Sequence, residues 1–129
     1  MLDLKGIHHI AIICSDYQVS KHFYTEILGL DIIREPYREQ RDSYKLDLAC
    51  HSQYVIELFS FPNPPNRLSF PEARGLRHLA FSVETIEKQI QKLVEKNILV
   101  EPIRQDSLTG KKFTFLQDPD GLPIELYEL

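Results

Sequence analysis

The 129-residue chain has only two cysteines, Cys14 and Cys50, and neither lies in a Cys-x-x-Cys spacing. This scarcity excludes a disulfide framework of the secreted type and a paired-thiolate metal or redox motif, and both residues are expected as reduced thiols within the fold. No apolar run reaches the roughly 18 residues that a membrane-spanning helix needs. The opening Met-Leu-Asp-Leu-Lys-Gly also lacks the cationic stretch and apolar run of a signal peptide. A soluble, cytoplasmic protein with no membrane partner is therefore expected. Basic residues form no cluster: 15 Lys and Arg stand against 19 Asp and Glu, for a net charge of −4, so nucleic acid is not an expected partner. What the chain does have, 43% hydrophobic and 26% charged residues, is the composition of one ordinary globular domain.

That domain is internally repeated. His9-Ile10-Ala11-Ile12 returns as His78-Leu79-Ala80-Phe81, and Val55-Ile56-Glu57-Leu58-Phe59 returns as Pro123-Ile124-Glu125-Leu126-Tyr127. From His to Glu the distance is 48 residues in the first copy and 47 in the second, so spacing is duplicated along with local sequence. Each copy opens with an alternating β-branched run, Ile7 to Cys14 and Leu76 to Val83. A helix follows. In the first copy Ser15-Asp16 supplies the cap, Val19, Phe23, Ile27 and Leu28 the apolar positions and Gly29 the stop; in the second Thr85 is the cap, Ile86, Ile90, Leu93 and Val94 the apolar face and Asn97 the terminator. Three strands then complete each copy, near 31–35, 44–49 and 54–60 and near 99–104, 112–116 and 123–127. Asp118-Pro119-Asp120-Gly121 makes the turn before the last of these. The fold class is therefore α+β, two βαβββ modules at about 5–60 and 75–129. A connector at 61–74 holds Pro62, Pro64, Pro65 and Pro71, and is expected to be a stiff spacer rather than a lid, although Phe61 and Phe70 would suit a lid.

Strand alternation sorts the polar residues. His9 shares a face with Ala11 and Ile13, opposite Ile10, Ile12 and Cys14, and His78 shares one with Ala80 and Ser82. The more apolar face must lie beneath the helix, so both histidines look away from it. The same alternation places Ile56, Leu58, Ile124 and Leu126 against the helices and turns Glu57 and Glu125 to the opposite side. A carboxylate inside an apolar strand is costly to desolvate unless it is paired or binds a metal. A water-facing sheet explains any one of the four alone. Duplication of the whole set favours two nitrogen and two carboxylate ligands for a borderline divalent ion. By the same alternation His8 points to the helix side, as an edge or core histidine. His22 and His51 have no counterpart in the other copy and are expected at the surface, and Tyr24 is expected to pack. Arg34, Arg38, Arg41 and Arg104 are candidates for holding an anionic group, weighed against plain solvated charge.

Several motifs together resemble the vicinal oxygen chelate superfamily of glyoxalase, bleomycin resistance and dioxygenase proteins. They are His8-His9-Ile10-Ala11-Ile12 with Asp16, Phe23-Tyr24 with Leu28-Gly29, Val55-Ile56-Glu57-Leu58, Gly75-Leu76-Arg77-His78-Leu79-Ala80-Phe81, and Asp118-Pro119-Asp120-Gly121 before Ile124-Glu125-Leu126. The likeness covers nearly the whole chain and is closest to the small bacterial YaeR-type, glyoxalase I-like proteins. It implies a curved mixed sheet, an incomplete barrel, around a metal site. The ligand order His9, Glu57, His78, Glu125 resembles that of bacterial glyoxalase I, which implies octahedral nickel, cobalt or zinc. Extradiol dioxygenases lack a counterpart of Glu57, and methylmalonyl-CoA epimerases usually have Gln there. The implied activity is that of a metal-dependent lyase or isomerase on a small-molecule substrate, working as a homodimer. In that likeness Glu125 is the proton-abstracting carboxylate, and Glu57 is its equivalent in the other module. Bacterial glyoxalase I usually has Arg and Asn, both binding glutathione, where Ile13 and Phe61 stand here, so a glutathione adduct is expected to be a poor substrate. Two alternatives are another vicinal-oxygen substrate for the same metal, and a non-catalytic drug-binding or resistance protein.

Overall fold

Alternating burial along the strands and one buried stripe on each helix organise the molecule. The computed structural model describes residues 1–68 and 73–129, so Phe70 and Pro71 of the connector lie outside the described residues. The chain divides into two compact units, Met1–Pro65 and Asn66–Leu129, with the break inside the proline-rich connector. Among the described residues no helix is long and apolar enough to cross a membrane.

In the first unit the elements are β1 (Ile10–Cys14), α1 (Tyr17–His22) continuing as a π-helical turn over Phe23–Ile27, β2 (Asp31–Arg34), β3 (Tyr37–Arg38), a 3-10 turn at Glu39–Arg41, β4 (Ser43–Cys50) and β5 (Gln53–Ser60). The sheet order is β1-β5-β4-β2, with β3 also on β4. β1 and β5 run parallel, while β4 is antiparallel to β5, β2 and β3, so the sheet is mixed. The expected cap is correct: the Val19 N–H donates to Asp16 Oδ1 at 3.2 Å. The apolar stripe is shifted from expectation, however. Tyr17, Ser20, Phe23 and Tyr24 are buried, whereas Val19 is 50% exposed. The buried positions recur at i, i+3, i+6 and i+7, a helical period that passes Val19 by. Gly29 ends the segment at φ +79°, a conformation glycine adopts without penalty.

In the second unit β6 (Leu79–Val83), α2 (Ile86–Glu95), β7 (Arg104–Gln105), β8 (Lys112–Gln117) and β9 (Pro123–Glu128) make a four-stranded sheet of order β6-β9-β8-β7. β6 is again parallel to β9, and β8 antiparallel to it. Three expectations need correction. The strand expected near 99–104 shrinks to β7, because Pro102 has no N–H to donate to a ladder; from the preceding run Glu101 N–H alone reaches Phe115 O, at 2.9 Å. Thr85 sits at the cap position but does not cap with its side chain; Glu128 Oε2 accepts from Ile86 N–H at 2.8 Å instead. Val94, expected on the apolar face, is 58% exposed, while Ile86 and Leu93 are buried. Asn97 terminates the helix at φ +59°, as expected.

The core of the first unit is built on Tyr24, Leu46, Leu48, Ile56 and Leu58, and that of the second on Ile86, Leu93, Leu116, Ile124 and Leu126. Cys14 is buried, and both cysteines are free thiols. The fold is thus mixed α+β with two sheets, neither closed into a barrel.

Candidate functional site

Parallel pairing of the first and last strand decides where the repeated polar residues meet. In the first unit Ala11 is registered with Glu57, and in the second Ala80 with Glu125. Each histidine stands two residues before that alanine, just ahead of its strand, and reaches the carboxylate on the same face. His9 Nε2 lies 3.1 Å from Glu57 Oε2, and His78 Nε2 lies 2.9 Å from Glu125 Oε2. The side chains are partly open, with exposures of 35% and 15% in the first pair and 31% and 13% in the second. One construction therefore occurs twice. Among the described residues no group of three or more His, Cys, Asp or Glu side chains is gathered as a metal cluster, so the structure brings the four candidates together as two pairs.

The donor chemistry of each pair fits a divalent ion. Two ligands about 2.1 Å from a common ion and at right angles to one another stand about 3 Å apart, which is the separation in both pairs.

The surroundings of the two carboxylates differ. Across the sheet from Glu57 stands Asp47, fully buried, between Leu46 and Leu48. Lys45 Nζ is 3.0 Å from Glu57 Oε1 and 3.1 Å from Asp47 Oδ1, and Arg34 Nε is ion-paired with Asp47 Oδ2. The Tyr54 hydroxyl lies 2.8 Å from both Asp47 Oδ1 and Glu57 Oε1, and its single proton can serve one of them at a time. Burial works to raise the Glu57 pKa, but hydrogen bonds from Tyr54 and Lys45 and the Lys45 charge outweigh it and hold the carboxyl below its ordinary value. Asp47 is lowered in the same way by Tyr54, Lys45 and Arg34. The Lys45 pKa is raised, chiefly by its hydrogen bond to Glu57, and the Tyr54 hydroxyl is pushed well up by burial and by the two carboxylates.

Glu125 has Phe115 as its cross-strand partner, and that ring meets His78 edge-on with centroids 5.1 Å apart. The ion-pair partner of Glu125 among the described residues is His78. One Glu is thus tied to a cation, a phenol and a histidine, and the other to a histidine beside an aromatic ring.

His8 departs from expectation. Strand β1 begins at Ile10, so alternation does not extend back to His8, which is exposed rather than turned beneath the helix. Its Nδ1 is 2.8 Å from His9 Nδ1, and its ring centroid lies 5.2 Å from that of Tyr54. With the proton on His9 Nδ1, the Nε2 lone pair faces Glu57, which is the state a ligand needs. His22 and His51 are at the surface, and Tyr24 is fully buried packing, as expected. Of the arginines, Arg34 is ion-paired with buried Asp47 and Arg104 Nη2 bonds Glu101 Oε2 at 2.9 Å, while both arginine side chains stay more than half exposed. Arg38 lies 5.0 Å from the Phe59 centroid and 5.9 Å from that of Phe61, and Arg41 is exposed. Phe61 stacks on Phe59 and Ile13 is 55% exposed. Lys45, Asp47 and Tyr54 escaped the sequence reading, although Asp47 carried a signal: an acid between two leucines mid-strand, the pattern that singled out Glu57.

The family model described as the Glyoxalase/Bleomycin resistance protein/Dioxygenase superfamily matches residues 6–126. The chain is 62% identical over 128 residues to the protein YaeR of Escherichia coli (strain K12), covering 99% of each chain. The crystal structure of a glyoxalase family protein from Enterococcus faecalis superposes with a TM-score of 0.89 at 52% identity, covering 98% of this chain and 100% of that one. A more distant likeness, 30% over 129 residues covering 98% of this chain and 83% of the relative, is to the metallothiol transferase FosB of Staphylococcus epidermidis.

Proposed function

The chain belongs to the Glyoxalase/Bleomycin resistance protein/Dioxygenase superfamily, and we propose that within it this protein is a metal-dependent lyase or isomerase of the glyoxalase I type, acting as a homodimer on a small α-oxo compound or its thiol adduct. His9, Glu57, His78 and Glu125 are the ligands, for nickel, cobalt or zinc. When bound, the ion supplies Lewis acidity that stabilises negative charge developing on substrate oxygens. The protein's own residues do the rest. Glu125 takes the proton from the hydroxyl-bearing carbon next to the carbonyl and returns it to the former carbonyl carbon, while the hydroxyl proton passes to the former carbonyl oxygen, so the reaction is an isomerisation with no atoms gained or lost. Glu57, fastened by Lys45 and Tyr54, stays ionised and in place as a ligand. It is also the equivalent carboxylate for the opposite stereoisomer.

One observation carries this reading: the same His–Glu pair is built twice on the same strand register, but only one carboxylate is tied to a lysine and a tyrosine. A base must leave its partners to take a proton, and Glu125 has fewer to leave. The likeness to a metallothiol transferase supports the metal part of the reading.

The test pairs elemental analysis with a turnover screen of methylglyoxal plus several thiols. The protein is expected to hold a divalent transition metal and to lose it in His9→Ala and His78→Ala. Glu125→Gln, which keeps an oxygen ligand, should retain metal while kcat falls by about 10² or more. The glutathione adduct should be a poor substrate, given Ile13 and Phe61. A metal-free native protein, or a metal-loaded Glu125→Gln at full turnover, refutes the proposal.

A further inference from the structure

The second unit contains a cavity of about 520 Å³ with His78 in its wall. Among the described residues four arginines line it, Arg67, Arg74, Arg77 and Arg104, against one carboxylate, Glu101. In a chain whose net charge is −4 this is a local reversal of sign. Glu101 does not cancel it. Its Oε2 is already held by Arg104 Nη2 at 2.9 Å, and the Arg104 guanidinium is further fixed over Phe115, 5.3 Å from the ring centroid. Among the described residues Arg67 and Arg74 have no carboxylate partner, and Arg67 Nε is buried without any hydrogen-bond partner. A buried guanidinium N–H left unpaired costs more than a neutral donor would, and native structures rarely carry one without a reason. Guanidinium forks match the paired oxygens of carboxylates and phosphates, and several converging on one concave, partly apolar space attract and orient an anion.

We infer that this cavity binds the oxyanion end of the substrate, a carboxylate or a phosphate, with Arg67 and Arg74 as its principal contacts, while the reacting end lies at His78. The inference rests on the proposed function for the identity of the reacting end, and it narrows the substrate to an α-oxo compound carrying an oxyanion. An uncharged compound such as methylglyoxal itself leaves these guanidinium groups unmatched, so it forgoes their binding energy.

Titration calorimetry on the native protein tests this with three probes: inorganic phosphate, malonate and uncharged hydroxyacetone. Phosphate or malonate should bind and hydroxyacetone should not, and the tighter of the two anions identifies the group as phosphate or carboxylate. Binding should weaken by about tenfold or more in the double variant Arg67→Gln/Arg74→Gln and recover in part in Arg67→Lys/Arg74→Lys, which keeps charge but not the fork. Lys88→Gln, on the exposed side of α2, should bind like the native protein. Neither anion binding below about 10 mM, or equal affinity in the Gln double variant and the native protein, overturns the inference. Metal content measured on the same samples separates the two proposals. A metal-free native protein whose anion binding still needs the arginines removes the proposed function and keeps the cavity. Normal metal with anion binding indifferent to the arginines removes the cavity alone.

Discussion

Asp47 shows how much one side chain can set for the rest of a site. It is fully buried, and its charge is compensated by Arg34, Lys45 and Tyr54, the last two of which also hold Glu57. Removing one partner of such a group is worse than never having buried it, because the remaining charges are left without compensation. Asp47→Asn should therefore destabilise the protein by about 2–3 kcal/mol at pH 7, measured by urea unfolding. The pH dependence follows from sign. Asp47 is lowered in the folded state, so its contribution is complete above the ordinary carboxylate pKa of about 4 and is lost as pH falls through the folded value. The gap between native protein and Asp47→Asn should thus close in acid, and a gap that stays constant from pH 7 to pH 3 would show that the charge is not what stabilises.

At the level of elements, the two helices are anchored by different devices. Helix α1 is capped locally by Asp16, whereas α2 borrows its cap from the far end of its own unit, with Glu128 on β9 accepting from Ile86 N–H. A carboxylate there also meets the positive end of the helix dipole. Glu128→Ala should cost about 1 kcal/mol and Thr85→Ala only a few tenths, both read from denaturant midpoints at constant slope. The reverse order would mean that Thr85 caps the helix after all. Strand β7 makes the complementary point. Pro102 cuts the ladder, leaving Arg104 free of a long strand and able to reach both Glu101 and the rings of Phe113 and Phe115.

For the whole molecule, duplication produces two units that share a strand register but not their chemistry. The first unit's carboxylate sits in a charged network, and the second's sits beside an aromatic ring and an arginine-lined cavity. Apolar side chains ahead of β1 are left open, with Leu2, Leu4 and Ile7 each about 80% exposed. The proposed homodimer would cover these side chains. Sedimentation should give twice the 15.1 kDa chain mass, and Leu4→Asp with Ile7→Asp should shift it to the monomer. A native monomer at micromolar concentration would count against the dimer.

By itself the sequence determined the repeat, the strand–helix–strands order of each copy, to which the first adds the short β3, and the face on which Glu57 and Glu125 stand, because alternation and spacing are local properties that a strand transmits directly to side-chain direction. Tertiary structure decided what local patterns cannot carry. Parallel pairing of β1 with β5 and of β6 with β9 brought each His to its Glu. The start of β1 at Ile10 freed His8 from the alternation assumed for it. Asp47 and Lys45 met Glu57 only through the β4–β5 register, and Arg104 met Arg67 and Arg74 of a distant segment around one cavity. Which strands pair, where each begins and in which register are fixed by the packing of the whole unit and not by any local pattern.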